Sequence, residues 1–140
     1  MAALALRVLI LDSNPDAADA LATGLHACGH ETVAICPGEA SVRLADHFGP
    51  DIVLCAYHPG DIDVQKTLRA LRWLPGFDEV LVLMLADPIH AAEAGKLGHA
   101  VACQPVGPAT VMQAITGAIL AHSGPVAEVI PLHGGRVPCH

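Results

Sequence analysis

The stretch Pro50-Asp-Ile-Val-Leu-Cys-Ala-Tyr-His-Pro-Gly60 decides how the rest of the chain is arranged. Its apolar run, residues 52–56, lies between breakers on both sides and predicts a central parallel strand that helices cover on both faces. In an open α/β sheet, ligands and catalytic groups gather just beyond the carboxyl ends of the strands. We therefore expect any chemistry of this protein at or near residues 55–58.

The composition describes one domain with an aliphatic core. Of the 140 residues, 53% are hydrophobic but only 3% are aromatic, and the formal net charge is −7. This acidic balance argues against a nucleic-acid-binding surface. Among the basic residues only Lys66, Arg69 and Arg72 cluster, at a spacing typical of a solvated helix face. No apolar run is long enough for a membrane span or a signal sequence, so we expect a cytoplasmic protein.

The cysteines and histidines do not predict a metal site, a cofactor or a disulfide framework. The five cysteines lack CxxC spacing, which favours buried, structural thiols. His26 and His30 have the spacing of a metal-binding pair, but Gly29 breaks the helix between them. We interpret Asp12 as an acid at a helix start and His58 as an isolated polar residue in a loop.

The rest of the chain alternates strand-like and helix-like segments. Predicted strands cover residues 7–12, 32–36, 52–56, 80–85 and 99–103. Predicted helices run from Pro15 to the stop at Cys28-Gly29 and over residues 39–48, 61–73, 89–97 and 108–121. Five alternations predict a doubly wound parallel sheet in a domain of residues 1–121. Residues 122–140 have no periodicity and predict an extended or disordered tail.

Five short motifs occur in order along this domain: LILDSNPDAA at 9–18, GHE at 29–31, GPDIVL at 49–54, PG at 59–60 and QPV at 104–106. Together they resemble the receiver domain of two-component response regulators. The resemblance implies a flavodoxin-like sheet with strand order 2-1-3-4-5 and five helices. It also implies an acidic pair for Mg²⁺, a phospho-accepting aspartate after strand three, a hydroxyl after strand four and a lysine after strand five.

This sequence lacks most of the groups that the resemblance implies. The acceptor position falls on Ala56 when it is counted from Pro50 and on Cys55 when it is counted from Pro59. The complete set of equivalent positions is Asp12, Ser13, Ala56 or Cys55, Leu85 or Ala86, and Gln104. Phosphoryl transfer needs carboxylates for the metal and a cation for the phosphate oxygens. We therefore expect that the aspartyl-phosphate switch has been lost.

These observations predict a degenerate receiver domain, which acts in signal transduction by phosphorylation-independent contact with a partner protein and is not an enzyme. One alternative is a ligand- or redox-sensing pocket formed by Cys55, Tyr57 and His58, together with Gln104. Another is the regulatory domain of a transcription regulator, although this chain has no basic recognition helix of its own.

The predicted fifth helix is the strongest positive signal for a partner. It carries no charged residue and is apolar nearly all round, which indicates burial on more than one side. Either the tail segment 126–132 packs over it, or it forms an interface, and the resemblance favours the interface. We expect a homodimer through this helix, with the interface residues Val111, Met112, Ile115, Ile119 and Leu120.

Overall fold

The computed structural model describes residues 5–103 and 111–117. Gln104 and the interface residues Ile119 and Leu120 lie outside the described residues, as does the predicted tail, residues 122–140. None of the helices in the described part of the chain is long and apolar enough to cross a membrane.

Five parallel strands form one sheet in the order β2-β1-β3-β4-β5. The strands are β1 (Arg7–Leu11), β2 (Glu31–Ile35), β3 (Ile52–Ala56), β4 (Leu81–Ala86) and β5 (Ala100–Cys103). The helices are α1 (Pro15–Ala27), α2 (Glu39–Phe48), α3 (Ile62–Leu71), α4 (Ala91–Gly95) and α5, of which residues 111–117 are described. The predicted doubly wound fold and its strand order are confirmed.

The sheet is covered on both faces, which explains why its strands are apolar throughout. Successive side chains of a strand point to opposite faces. One set, exemplified by Ile10 and Leu54, packs with buried residues of α1 and α5. The other set, exemplified by Leu11, Cys55 and Met84, packs with buried residues of α2, α3 and α4. The two layers leave the carboxyl ends of β1, β3 and β4 at one edge of the sheet.

Side-chain caps at the starts of α1 and α3 shape the loops at this edge. Asn14 Oδ1 accepts hydrogen bonds from the backbone N–H groups of Asp16 and Ala17 at 3.1 and 3.3 Å. Asp61 Oδ1 accepts a hydrogen bond from Val64 N at 3.2 Å. These hydrogen bonds satisfy backbone N–H groups that a helix start leaves without a partner. They also fix the residue at which each helix begins after its strand.

Helix α5 uses its apolar residues differently from the prediction. Val111 and Ile115 are 0% and 1% exposed, in the core cluster that α5 shares with α1 and the sheet. They lie four residues apart, so they share the side of the helix that faces the chain's own interior. Their assignment to an intermolecular interface is therefore wrong. Met112 is partly buried against the same cluster.

The segment before β5 departs most from its prediction. Instead of one helix over 89–97, a 3-10 turn at Pro88–His90 precedes the five-residue helix α4. His99 then joins β4: its N–H donates to Val82 O at 2.8 Å, and its Nδ1 accepts from Val82 N at 2.9 Å. Gly98 makes this close approach possible, since a Cβ there would lie 2.9 Å from Val82 O.

Candidate functional site

The ends of β1 and β3 bring Asp12 and Ala56 side by side. Leu11 pairs with Cys55 in the parallel register, so the next residue of each strand lies at the same level of the sheet. Asp12 is 6% exposed and Ala56 is 1% exposed. Cys55 points to the opposite face, into the cluster that contains α3 and α4. Of the two positions that the sequence left open for an acceptor, Ala56 is therefore the one beside Asp12.

The carboxyl group of Asp12 is held by two neighbours. Its Oδ1 accepts a hydrogen bond from Asn14 N at 2.9 Å and lies 3.1 Å from Nε2 of His58. A carboxylate only accepts hydrogen bonds, so the imidazole N–H is the donor in this pair. His58 is thus not an isolated loop residue, which corrects that interpretation, whereas Asp12 does lie just before the start of α1 but is buried there.

The other equivalent positions in the described part of the chain, Ser13, Leu85 and Ala86, carry no carboxylate. Ser13 is exposed. Leu85, opposite Ala56 in the register, is buried in the apolar cluster between the sheet and helices α1 and α5. Ala86, the alternative position, is buried on the opposite face. Among the described positions that the resemblance assigns to the phosphate site, the one acid is therefore Asp12, and it pairs with the imidazole of His58.

Tyr57 connects the central strand to α4. Its N–H donates to Leu85 O at 2.8 Å, which extends the pairing of β3 with β4 by one residue. Its hydroxyl donates to Glu93 Oε2 at 2.7 Å, and this hydrogen bond, with burial as a second cause, raises the pKa of Tyr57. The ring lies 6.3 Å from that of His90, centroid to centroid, and His90 Nδ1 is buried without a hydrogen-bond partner among the described residues.

The predicted ligand pocket of Cys55, Tyr57 and His58 is not assembled. Cys55 and Tyr57 are buried together in the core cluster on one face of the sheet. His58 pairs instead with Asp12, which follows β1. The alternation of side chains along an extended chain separates residue 58 from residues 55 and 57.

Cys55 is buried as an unreactive thiol. It is 0% exposed, and burial, with smaller contributions from the negative charges of Asp61 and Asp12, raises its pKa to about 12. A thiolate is the reactive form of cysteine, so this environment opposes oxidation and alkylation. The prediction that Cys55 is a structural residue agrees with this environment. The redox-sensing alternative, which needs a reactive Cys55, is weakened by it.

Alkylation of the native chain is expected to discriminate among its cysteines. Iodoacetamide at pH 8 should modify the exposed Cys28 and Cys36 quickly and leave Cys55 unmodified until denaturant is added. Peptide mapping by mass spectrometry measures this directly. Modification of native Cys55 at the rate of Cys28 would show that the thiol is accessible and would revive the redox alternative.

The histidines predicted at metal-like spacing are not brought together as ligands. His30 is buried, and its Nδ1 accepts a hydrogen bond from Leu6 N at 3.1 Å, while His26 is exposed at the end of α1. Within residues 5–103 and 111–117, no three side chains of His, Cys, Asp or Glu form a group suited to a metal ion.

Comparison of sequences identifies no relative: no family model matches the chain, and no curated protein matches it.

Comparison of structures does find similar proteins. The chemotaxis response regulator CheY4 of Vibrio cholerae has 16% identity and a TM-score of 0.70, over 82% of this chain and 99% of that one. A CheY-like receiver domain from Methylobacillus flagellatus has 17% identity and a TM-score of 0.68, over 82% and 99%. The pseudo-receiver domain of the CikA protein has 25% identity and a TM-score of 0.59, over 82% and 98%. The chain therefore has the fold of response regulator receiver domains.

Proposed function

We propose that this chain is a receiver-like module of a two-component signalling pathway that works by protein–protein contact without an aspartyl phosphate. The observation that carries the proposal is Ala56, which lies beside Asp12 where the receiver resemblance requires the accepting carboxylate. Phosphoryl transfer to a side chain needs a nucleophilic oxygen, and a methyl group has none.

The surroundings of Asp12 support the same proposal. Its Oδ1 already accepts hydrogen bonds from Asn14 N and from the His58 ring. Mg²⁺ requires several oxygen ligands at near-octahedral geometry, and Asp12 is the sole acid retained at the positions that the resemblance assigns to the metal. The hydrogen bond from the His58 ring occupies the same oxygen of Asp12 that a metal ion would need.

The remaining parts of the proposal concern location and partners. We propose that the chain is cytoplasmic and is not an enzyme. Without phosphorylation it keeps one conformation, and a partner protein recognises that conformation. Of the residues proposed for a homodimer interface on α5, Met112 remains, together with Ile119 and Leu120. The last two lie outside the described residues. The ligand- and redox-sensing alternative is weaker, because Cys55 and Tyr57 are core residues of the described structure.

Treatment with acetyl phosphate and Mg²⁺, followed by intact-mass and sizing-column measurements, tests the proposal. We expect no added phosphoryl mass and no Mg²⁺-dependent change in size. The variant His58→Ala serves as the control, since a mass adduct on the natural chain that disappears in this variant would identify the imidazole as the acceptor. Any such adduct, or an adduct on Asp61, would contradict phosphorylation independence.

A further inference from the structure

Helix α3 presents a basic and aromatic row on its outer side. Val64, Leu68 and Leu71 are buried on the inner side, while Lys66 and Arg69 are exposed on the outer side. The helical path continues past the end of α3, because Trp73 N donates to Ala70 O at 3.1 Å. Trp73 therefore extends the row formed by Lys66 and Arg69, at intervals of three and four residues.

Trp73 is unusually exposed for so large an apolar side chain. It is 85% exposed, and it is the single tryptophan of the chain. Tryptophan is enriched among the residues that dominate binding energy at protein interfaces. An indole left in water beside two cationic side chains is therefore suited to contact with another molecule.

Most of the cationic side chains lie in the part of the chain around Trp73, although the formal net charge of the chain is −7. Four of its seven Lys and Arg residues lie on α3 or next to its carboxyl end: Lys66, Arg69, Arg72 and Lys96. Arg72 Nη2 donates to Leu97 O, which joins the end of α3 to the residues that follow α4. Among the described residues, Lys66 and Arg69 form no ion pair, so their charges remain available.

Exposed acids border this surface. Asp63 lies one turn before Lys66, and Asp78 and Glu79 form part of the 3-10 turn after α3. These acids repel a polyanion as dense as nucleic acid, and four cations are few for phosphate binding. A short acidic stretch of a protein carries fewer charges than nucleic acid. Its carboxylates can contact Lys66 and Arg69 without approaching the bordering acids.

An apolar groove begins directly after Trp73. The next four residues, 74–77, line it together with Ala45, Pro50 and Val80, and Asp46 also borders it. Its volume is about 150 Å³, the size of a cavity that can accommodate a benzene-sized group. The groove and the indole together offer an apolar contact next to the cationic row.

We propose that the surface formed by Lys66, Arg69, Trp73 and this groove binds an acidic, amphipathic segment of a partner protein. Carboxylates of the partner contact Lys66 and Arg69, and an apolar side chain covers Trp73 and enters the groove. Charge complementarity directs an acidic partner to this surface, because most of the chain's remaining charge is negative and repels it. The inference is independent of the proposed function, since it uses no residue near Asp12 or Ala56.

Because Trp73 is the single tryptophan, the emission of the full chain reports on this surface alone. We expect emission typical of a hydrated indole, and a ratio of iodide to caesium quenching at low salt that exceeds the ratio for free N-acetyltryptophanamide, since nearby cations attract the anion. The variant Lys66→Glu/Arg69→Glu should lower this ratio below that of the free indole. A blue-shifted emission that both quenchers fail to reach would show that the chain covers its own Trp73, and would overturn the proposal.

The binding test uses a fluorescein-labelled peptide of four Glu-Glu-Leu-Leu repeats, with a Lys-Lys-Leu-Leu peptide as control. The acidic peptide should bind, shift the Trp73 emission to the blue and shield it from iodide. Arg69→Glu and Trp73→Ala should each weaken binding by about tenfold, measured by anisotropy. Arg43→Glu, the same charge change on α2, should leave the affinity within about twofold. Thermal unfolding of each variant checks that it is folded.

Three other results would overturn the proposal. The first is no binding of the acidic peptide, or binding that Arg69→Glu and Trp73→Ala leave unchanged. The second is tighter binding of a single-stranded oligonucleotide than of the peptide, which would make nucleic acid the occupant. The third is a concentration-dependent dimer that Trp73→Ala abolishes, which would make a second copy of the chain the occupant.

Discussion

Replacing Ala56 by aspartate is expected to destabilise the chain by about 3–5 kcal/mol at pH 7, the cost of an uncompensated buried charge. The substitution restores the carboxylate that a receiver domain uses, but it places that carboxylate beside Asp12 at a position that is 1% exposed. The ring of His58 already donates its hydrogen bond to Asp12, so the new carboxylate would have no donor from this side chain. The surroundings of Ala56 are therefore unsuited to a second buried carboxylate.

The matched control is Ala56→Asn, which has nearly the same shape without the charge. Burial and the negative charge of Asp12 are expected to raise the folded-state pKa of the new carboxyl group above its unfolded value of about 3.9. A group whose pKa is raised on folding costs little below its unfolded pKa, and its cost grows as the pH rises towards the folded pKa. Urea unfolding should therefore show the aspartate and asparagine variants alike near pH 4 and well separated at pH 7.

Equal stability of these two variants at pH 7 would contradict this account. It would show that the edge of the sheet still tolerates two carboxylates. In that case Ala56→Asp should also be treated with acetyl phosphate and Mg²⁺, because a phosphoryl adduct on this variant would mean that a single substitution separates the chain from a working switch.

Replacing Gly98 by alanine is expected to cost about 1–3 kcal/mol, the usual range for overpacking a well-packed site. The new methyl group would lie 2.8 Å from Met84 Cγ and 2.9 Å from the carbonyl oxygen of Val82. Val82 is in the central part of the sheet and bonds to His99 from both its N–H and its C=O. Relief of the clash would therefore have to disturb the pairing that leads into β5.

Gly95→Ala is the matched control, three residues earlier. Its methyl group would lie 3.4 Å from Val101 Cγ2, an ordinary contact, and the residue belongs to α4. Alanine is more favourable than glycine in a helix by up to about 1 kcal/mol, so this variant should be as stable as the natural chain or slightly more stable. Denaturant unfolding measures both, and equal stability of the two variants would show that the sheet near Gly98 is loosely packed.

The elements that sequence predicts best are those with unambiguous breakers at both ends. The boundaries of β3 and α2 are as predicted. Gly49-Pro50 ends α2 and precedes β3, and Pro59-Gly60 forms the turn that follows β3. The segment at 89–97 was predicted poorly because its apolar spacing is weak. Its first residue, Ile89, is exposed, and the anchoring of His99 to Val82 decides where the helix ends. That anchoring is a tertiary contact with no local signal.

The candidate site was predicted in part. The strand pattern placed Asp12 and Ala56 at the same edge of the sheet, and the register bears this out. The bonds of Asp12 to His58 and of Tyr57 to Glu93 join residues 46 and 36 positions apart, so they depend on loop paths that no periodicity describes. The neighbouring positions of β1 and β3 could have pointed to the pair of Asp12 and His58, which was not predicted. The exposure of Trp73 was not predicted, because helical spacing alone does not decide whether a tryptophan that follows the last turn of α3 packs against the chain or faces solvent.

The strand order also has a consequence for how the chain is made. Residues emerge from the ribosome in sequence order, so β1 pairs with β2 while its other side waits for β3, whose first paired residue, Ile52, lies 44 positions beyond Val8. Until then an apolar strand has a free edge, the kind of surface on which nascent chains aggregate. Each later strand adds to one growing side only. The intervals in which one strand has left the ribosome and the next has not should therefore be the moments at which this protein most needs a chaperone.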